Sequence, residues 1–389
     1  MDRRIFFLST AGAALAQSPN ESVRLALIGS GGRGRRVMSE FKRDPNLQVH
    51  GVCDIYEPNL EEGLSAAGPG TRAYRDYRKV LDDKDVDAVL IATPEHWHHR
   101  MTLDAMAAGK DIYVEKPLCH TPEEGKELVE AQRRSDRIVQ VGMQRRSYNL
   151  YLEARDTRRA GDLGRVRMVR TYWLNSRTEP RRDPFRGPID WPAWVGPAPS
   201  VPEDPLVFFN WRSLAAYSGG IAQDQGCHIF DSIHLIMDAG YPVSVNATAL
   251  KPHVEGMDQP ESVVVAAEYP DGFMAVFTIN YNAMRYASRA DQLNAYDGSQ
   301  ARMDIGREFL RIYPSTSPET AAFAKEQPGG FAQATIDHVM NFLHCVRTRE
   351  TPRATMDKGF QAALIVQLAN ISIREGRKVG WDSETLSVV

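Results

Sequence analysis

Cysteine is scarce in this chain: four in 389 residues, at positions 53, 119, 227 and 345, with no C-x-x-C and no regular spacing. That excludes a disulfide framework and a zinc finger, and it leaves the redox compartment unread. Charge of one sign is not in excess either. Lys and Arg number 47 against 50 Asp and Glu, a formal net charge of −3. With no long basic run, neither nucleic acid nor an anionic membrane surface is indicated as a partner. No stretch approaches the roughly 20 apolar residues of a membrane-spanning helix. No internal repeat or low-complexity tract is present. What remains is an ordinary globular composition, 42% hydrophobic and 25% charged, in a length that suits two domains.

The first residues, "MDRRIFFLSTAGAALAQS", have the layout of an export signal over positions 1–16. A charged start with Arg3 and Arg4 precedes an apolar middle and an A-x-A-like end. Paired arginines followed by Phe6, Phe7 and Leu8 resemble a twin-arginine signal, which would make the protein periplasmic. The alternative is the frayed start of a cytoplasmic protein.

From residue 17 to about 145, apolar runs alternate with helical patterns. "VRLALIG", "LQVHGVCD", "DAVLIAT", "DIYVEKP" and "RIVQVGMQ" read as five buried strands, with helices over 33–43, up to Gly109, and over 122–135. This alternation predicts a doubly wound parallel sheet. Near residue 165 the texture changes to strands with few helices between them, such as "RVRMVRTYW" and "FMAVFTINYN", with a turn at Pro270-Asp271-Gly272. Residues 146–389 therefore read as a second, α+β domain on a large, mostly antiparallel open sheet. It closes with helices over 331–347 and 357–375 that can pack back on the first domain. The proline-rich stretch 180–205, with Trp191 and Trp194, reads as an ordered surface loop.

"LALIGSGGRGRRV" holds G-x-G-x-x-G as Gly29, Gly31 and Gly34, after a strand and at the start of a helix. The glycines serve a tight turn, close approach to a pyrophosphate, and close helix–strand packing. The helix N-terminus adds positive potential. Gly32 and Arg33 belong to the same loop. The next strand ends at Asp54, twenty residues after Gly34, where a carboxylate can accept from ribose hydroxyls. A nucleotide cofactor follows. Asp54 favours NAD over NADP, whose 2′-phosphate it would meet. Arg33, Arg35 and Arg36 keep NADP open, although Arg35 and Arg36 also read as a solvated helix face.

"YVEKPL" puts Lys116 at the carboxyl end of a parallel strand, the edge where such sheets bind ligands. The glycine loop, "ATPEHWHH", "EKP" and the later "DQGCHIFD" together resemble the Gfo/Idh/MocA oxidoreductases, the group around glucose–fructose oxidoreductase and inositol dehydrogenase. The resemblance covers nearly the whole chain. It implies hydride transfer between NAD(P) and a sugar or polyol, with oligomer contacts through the open sheet. It implies a catalytic Lys116, an Asp224–His228 pair, and cofactor contacts from Thr93, Pro94, His98, Glu115 and Lys116 itself. Members with a twin-arginine signal hold their cofactor tightly.

Oxidising a secondary alcohol needs a proton acceptor, a positioned carbon and a stabilised alkoxide. His228 suits the first, as its pKa is near neutral. Lys116 suits the last, or shares the proton. Asp224 can bind a sugar hydroxyl or orient His228. Asp224, His228 and Asp231 share one helix face at i, i+4 and i+7, so Asp231 can polarise the imidazole or interact with the other domain. His234 and Cys227 read as scaffold. His96, His98 and His99 stand at i, i+2 and i+3 and do not converge, so no metal site is expected. Trp194, Trp211, Arg212 and Tyr217 are candidates for a sugar-like substrate, with Trp191, Asn210, Tyr281 and Arg285 behind them. Two other activities use the same parts: an NAD-dependent glycosidase working by transient oxidation, elimination and re-reduction, and a non-catalytic nucleotide-dependent regulator.

Overall fold

The structure, a computed structural model, describes residues 22–176, 179–287 and 290–389. The signal-like residues 1–16 lie outside the described residues. Six strands form the first sheet: β1 (Val23–Ile28), β2 (Leu47–Cys53), β3 (Arg72–Tyr74), β4 (Ala88–Ile91), β5 (Asp111–Val114) and β6 (Val139–Val141). All pair in parallel, in the order β3-β2-β1-β4-β5-β6. This is the dinucleotide-binding order, and the strand order switches between β1 and β4, where ligands settle. The central runs are buried because helices cover both faces. β4 and β5, for example, are buried at every residue.

Five helices link these strands: α1 (Gly32–Phe41), α2 (Glu57–Ala67), α3 (Tyr77–Asp82), α4 (His98–Ala107) and α5 (Pro122–Arg133). α5 begins with a capping box, Thr121 against Glu124, and carries a proline in its first turn. The sequence reading missed β3, a three-residue edge strand with little buried side chain, and with it α2 and α3.

The second sheet has ten strands. They are β7 (Val166–Leu174), β8 (Ser244–Ala249), β9 (Ser262–Glu268), β10 (Met274–Asn280), β11 (Gln292–Gly298), β12 (Ala301–Ile305), β13 (Phe309–Pro314), β14 (Phe323–Glu326), β15 (Val379–Asp382) and β16 (Ser387–Val388). The order is β14-β13-β12-β11-β7-β10-β9-β8-β15-β16, antiparallel except where β7 and β10 run parallel at the centre. The sheet is therefore mixed, and mostly antiparallel. The Pro270-Asp271-Gly272 turn joins β9 to β10, with Gly272 at φ 76°.

Six further helices complete the chain: α6 (Asn149–Ala160), α7 (Trp191–Val195), α8 (Pro205–Asn210), α9 (Gly220–Met237), α10 (Gly330–Thr348) and α11 (Met356–Glu375). α9 is buried on nearly every side, which makes it a central element rather than a surface helix with one polar stripe. α10 returns to the first domain. Val339, Phe342 and Leu343 share a core with Leu25, Val37 and Phe41. Phe41, Tyr113 and Phe342 meet edge-on, with ring centres 5.4 to 5.9 Å apart. No helix among the described residues is long and apolar enough to cross a membrane.

Candidate active site

The glycine loop joins β1 to α1 and opens onto a cavity of about 1090 Å³. Gly29 has φ +88°, and a Cβ there would stand 2.8 Å from the main chain of Ala92 and Thr93. A Cβ on Gly34 would stand 2.1 Å from the Gly29 carbonyl oxygen. Only glycine tolerates either position. At Gly32 a Cβ would meet nothing within 4 Å, so this side of the loop is free for a bulky phosphate group. Asp54 is 9% exposed. Its Oδ2 accepts from the Ser30 amide at 2.8 Å and its Oδ1 from the Tyr56 amide at 2.9 Å. Burial raises the Asp54 carboxyl from its ordinary value, against the pull of those amides. Oδ2 also accepts from the Ser30 hydroxyl at 3.2 Å, so it is Oδ1 that keeps a lone pair for a ribose hydroxyl. The residues present thus fit a dinucleotide.

Two of the three arginines of α1 are held by ion pairs. Arg33 Nη2 lies 2.8 Å from Glu115 Oε1, joining the glycine loop to the end of β5. Arg35 pairs with Glu62 at 2.7 Å and donates to the Ser30 carbonyl, so it is not the solvated side chain expected. Its neighbour Arg36 is exposed.

The sheet edge is tied together by His98. Its Nδ1 lies 2.6 Å from the Pro117 carbonyl oxygen and its Nε2 lies 2.9 Å from that of Thr93. The ring therefore bridges the Thr93-Pro94 turn and the Lys116-Pro117 loop, and burial lowers its pKa. His96 faces the Trp194 carbonyl at 3.0 Å and His99 faces Glu127 at 2.9 Å. The three rings do not converge. Among the described residues only His50, Asp83 and Asp85 approach metal-ligand spacing. Arg72 and Arg24 already pair with those acids, at 2.7 and 2.8 Å.

Beyond His98, Lys116 Nζ donates to Asp224 Oδ1 at 2.6 Å and to the Asp224 carbonyl at 2.9 Å. Arg212 Nε stands 3.5 Å from the same carboxylate oxygen, and Gln225 Nε2 donates to the other. Burial alone would raise Asp224, but the Lys116 and Arg212 charges outweigh it and hold the carboxyl below its ordinary value. Arg212 lies over the Trp211 ring, 4.2 Å from its centre. Trp194, Trp211, Arg212, Lys116 and Asp224 share the cavity wall with Gly29, Gly31, Arg33, Asp54, Thr93, Pro94, His98 and Glu115.

Three sequence-predicted residues stand off that wall. Gly34 packs against Gly29. Tyr217 is 2% exposed and packs on Trp194 and His96, so it serves an aromatic cluster rather than a ligand surface. His228 lies one helical turn beyond Asp224, beside Trp173 at 6.4 Å between ring centres. Burial, with the charges of Lys116, Arg145, Arg33 and Arg307, pushes its pKa well below the ordinary value, so the ring is neutral. Asp231 does not polarise it. Arg146 Nε takes Asp231 Oδ1 at 2.5 Å, because α9 turns that residue toward the loop after β6. His234 faces the Tyr269 hydroxyl at 2.9 Å, and Cys227 is fully buried. Of the reserve candidates, Trp191 stacks on Trp194, Asn210 is spent on Arg181 and Leu206 main chain, Tyr281 is buried, and Arg285 is exposed.

Glu95 was not singled out from sequence. It begins the single 3-10 turn between β4 and α4, is 1% exposed, and accepts from the Gly219 amide at 3.2 Å. The signal was a carboxylate directly after the Thr93-Pro94 turn, at the ligand-binding edge of the sheet.

A segment of the second domain lies across the first. Tyr56 bridges Ile189, the Glu57 amide donates to the Pro188 carbonyl at 2.9 Å, and Trp97 Nε1 donates to the Trp194 carbonyl at 2.9 Å.

Comparison with known proteins matches both halves. The oxidoreductase family's NAD-binding Rossmann fold (GFO_IDH_MocA) matches residues 23–143, and its C-terminal alpha/beta domain matches residues 169–389. The uncharacterized oxidoreductase YrbE of Bacillus subtilis is 24% identical over 363 residues, covering 91% of this chain and 95% of its own. Myo-inositol 2-dehydrogenase of Thermotoga maritima is 22% identical over 372 residues, covering 92% and 98%. Among solved structures, a levoglucosan dehydrogenase in complex with NADH and levoglucosan superposes with a TM-score of 0.74 at 20% identity, covering 92% of this chain and 99% of its own.

Proposed function

Since the chain belongs to the Gfo/Idh/MocA oxidoreductase family, we propose that it oxidises a secondary hydroxyl of a sugar or polyol with NAD. The observation that carries this reading is the Lys116–Asp224 pair on the wall of the same cavity that begins at the glycine loop. The named activity of the Thermotoga relative supports the polyol class. NAD, when bound, accepts the hydride.

The chain's own residues do the rest. The α1 N-terminus and Gly31–Gly32 hold a pyrophosphate, and Asp54 accepts from ribose hydroxyls. Trp211 gives the sugar an apolar wall. Lys116, held by Asp224, points a charged donor at the substrate oxygen and stabilises it as the proton leaves. His228, neutral and one turn away, is the acceptor to which that proton passes.

Purified protein with NAD, offered myo-inositol, free sugars and glycosides, is expected to accumulate reduced nicotinamide, read near ~340 nm. Aglycone release without reduced nicotinamide, or no reaction with any of them, overturns the reading.

A further inference from the structure

Residues 185–197 of the second domain hold the first domain at two places. One is the turn between β2 and α2. There the Asp190 amide donates to the Ile55 carbonyl at 3.0 Å and the Glu57 amide to the Pro188 carbonyl at 2.9 Å. The Arg186 amide donates to the Tyr56 hydroxyl at 2.8 Å, and Arg186 Nη2 pairs with Glu62 at 3.2 Å. The other place is the 3-10 turn after β4. The Trp194 carbonyl accepts from Trp97 Nε1 at 2.9 Å and faces His96 Nε2 at 3.0 Å. Gly196 then passes so close that a Cβ on it would collide with the Trp97 ring.

These two holds stand at the ends of β2 and β4. Between those strands in the sheet lies β1, whose end is the glycine loop. The five residues of α7 therefore cross from one side of the glycine loop to the other. Pro192, Ala193 and Trp194 share a cavity wall with Gly31 and Asp54. A dinucleotide seated on the loop lies between the loop and this crossing. The crossing offers it few polar groups. Pro192 has no amide hydrogen, and its carbonyl accepts from the Gly196 amide at 3.0 Å. Ala193 gives its amide to the Asp190 carboxylate at 3.0 Å. The Trp194 amide goes to the Asp190 carbonyl at 2.9 Å. The segment is thus held by protein rather than by nucleotide, and its tendency to close is nearly the same with the site empty or filled.

We propose that residues 185–197 are a strap that gates NAD, setting how fast the nucleotide exchanges rather than how tightly it binds. Entry and exit both require the strap to lift from one of its holds. The open fraction then multiplies the capture and release rate constants alike and cancels from their ratio. This holds whichever alcohol is oxidised, since it rests on the NAD site alone.

Gly196→Ala sets a Cβ against the Trp97 ring at a φ of 51°, so the second hold loosens. NADH is the probe, its fluorescence followed by stopped flow during capture and during release into excess NAD. Both rate constants are expected to rise about tenfold over wild type, with their ratio kept within about threefold. A second protein, Glu62→Cys with Arg186→Cys, pins the first hold through a cleavable thiol cross-linker, the four native cysteines being buried. Cross-linking is expected to slow capture and release together by at least about tenfold, and cutting the linker in the same sample restores both. Exchange that the cross-link does not slow overturns the proposal. So do unchanged rates in Gly196→Ala, or a faster release there with capture unchanged and affinity weakened to match, which would make the strap a nucleotide contact.

Discussion

Lys116 Nζ grips Asp224 twice, at 2.6 Å through the carboxylate and at 2.9 Å through the same residue's main-chain carbonyl. The double hold fixes the ammonium against the first turns of α9, so the lysine spends no rotamer freedom when a substrate oxygen arrives. It also ties the end of β5 in one domain to the central helix of the other.

Lys116→Ala removes both hydrogen bonds and leaves the buried Asp224 carboxylate with Arg212 and the Gln225 amide. Oxidation is expected to fall about 10²–10⁴-fold, with stability lowered by about 1–3 kcal/mol. NAD binding, followed by fluorescence quenching, persists, because the glycine loop and Asp54 are untouched.

His228→Ala is expected to cost a similar 10²–10⁴-fold, roughly, in turnover while nucleotide binding is kept. In wild type the ring is held neutral by burial and by the surrounding Lys116, Arg145, Arg33 and Arg307 charges. Its NMR signals therefore do not titrate between about pH 6 and 8, where an ordinary histidine would. A full titration in that window contradicts the assignment.

Asp54→Asn removes the charge beside the ribose and keeps the side-chain shape. NAD affinity is expected to weaken about tenfold, or ~1.4 kcal/mol. NADP affinity strengthens, since a 2′-phosphate no longer meets a carboxylate. The ratio of the two dissociation constants is the measurement. An unchanged ratio removes Asp54 from cofactor choice.

Glu95 carries a stability signature. Burial raises its folded pKa to about 7, above the ordinary ~4.3 of an unfolded glutamate. The folded protein thus holds a proton that the unfolded chain has released. Stability declines as pH rises through that interval, and above about 7 the full penalty is present. The Tm of Glu95→Gln relative to wild type is expected to increase from pH 4.5 to 7, approximately, and then to level off. A constant difference across that range contradicts a raised folded pKa.

Much of this site was legible because its signals are local. The turn at Gly29, the spacing to Asp54 and the strand before Lys116 each depend on a few adjacent residues. Helical phase put Asp224 and His228 one turn apart on α9, of which Asp224 reaches the cavity wall. The misreadings have distant partners. Asp231 is claimed by Arg146, 85 positions upstream, and no periodicity reveals which neighbour wins. Tyr217 had the chemistry of a sugar contact, but tertiary packing on Trp194 and His96 buried it. β3 buries too little side chain to leave a pattern. Glu95 stood inside "TPEHWHH", where the histidines drew attention. Its character comes from residues 116, 212, 219 and 224, which only the fold brings to it.

The return of α10 bears on biosynthesis. When a ribosome has delivered the chain only as far as β6, the face of the cofactor-binding sheet that carries α1 still lacks the cover of α10. Phe41 and Tyr113 then wait for Phe342. The nascent first half is thus sticky until the last fifth of the message has been read, a window in which chaperones or aggregation compete for it. Residues remote from the catalytic cavity, such as Val339 and Leu343, would then affect yield far more than rate.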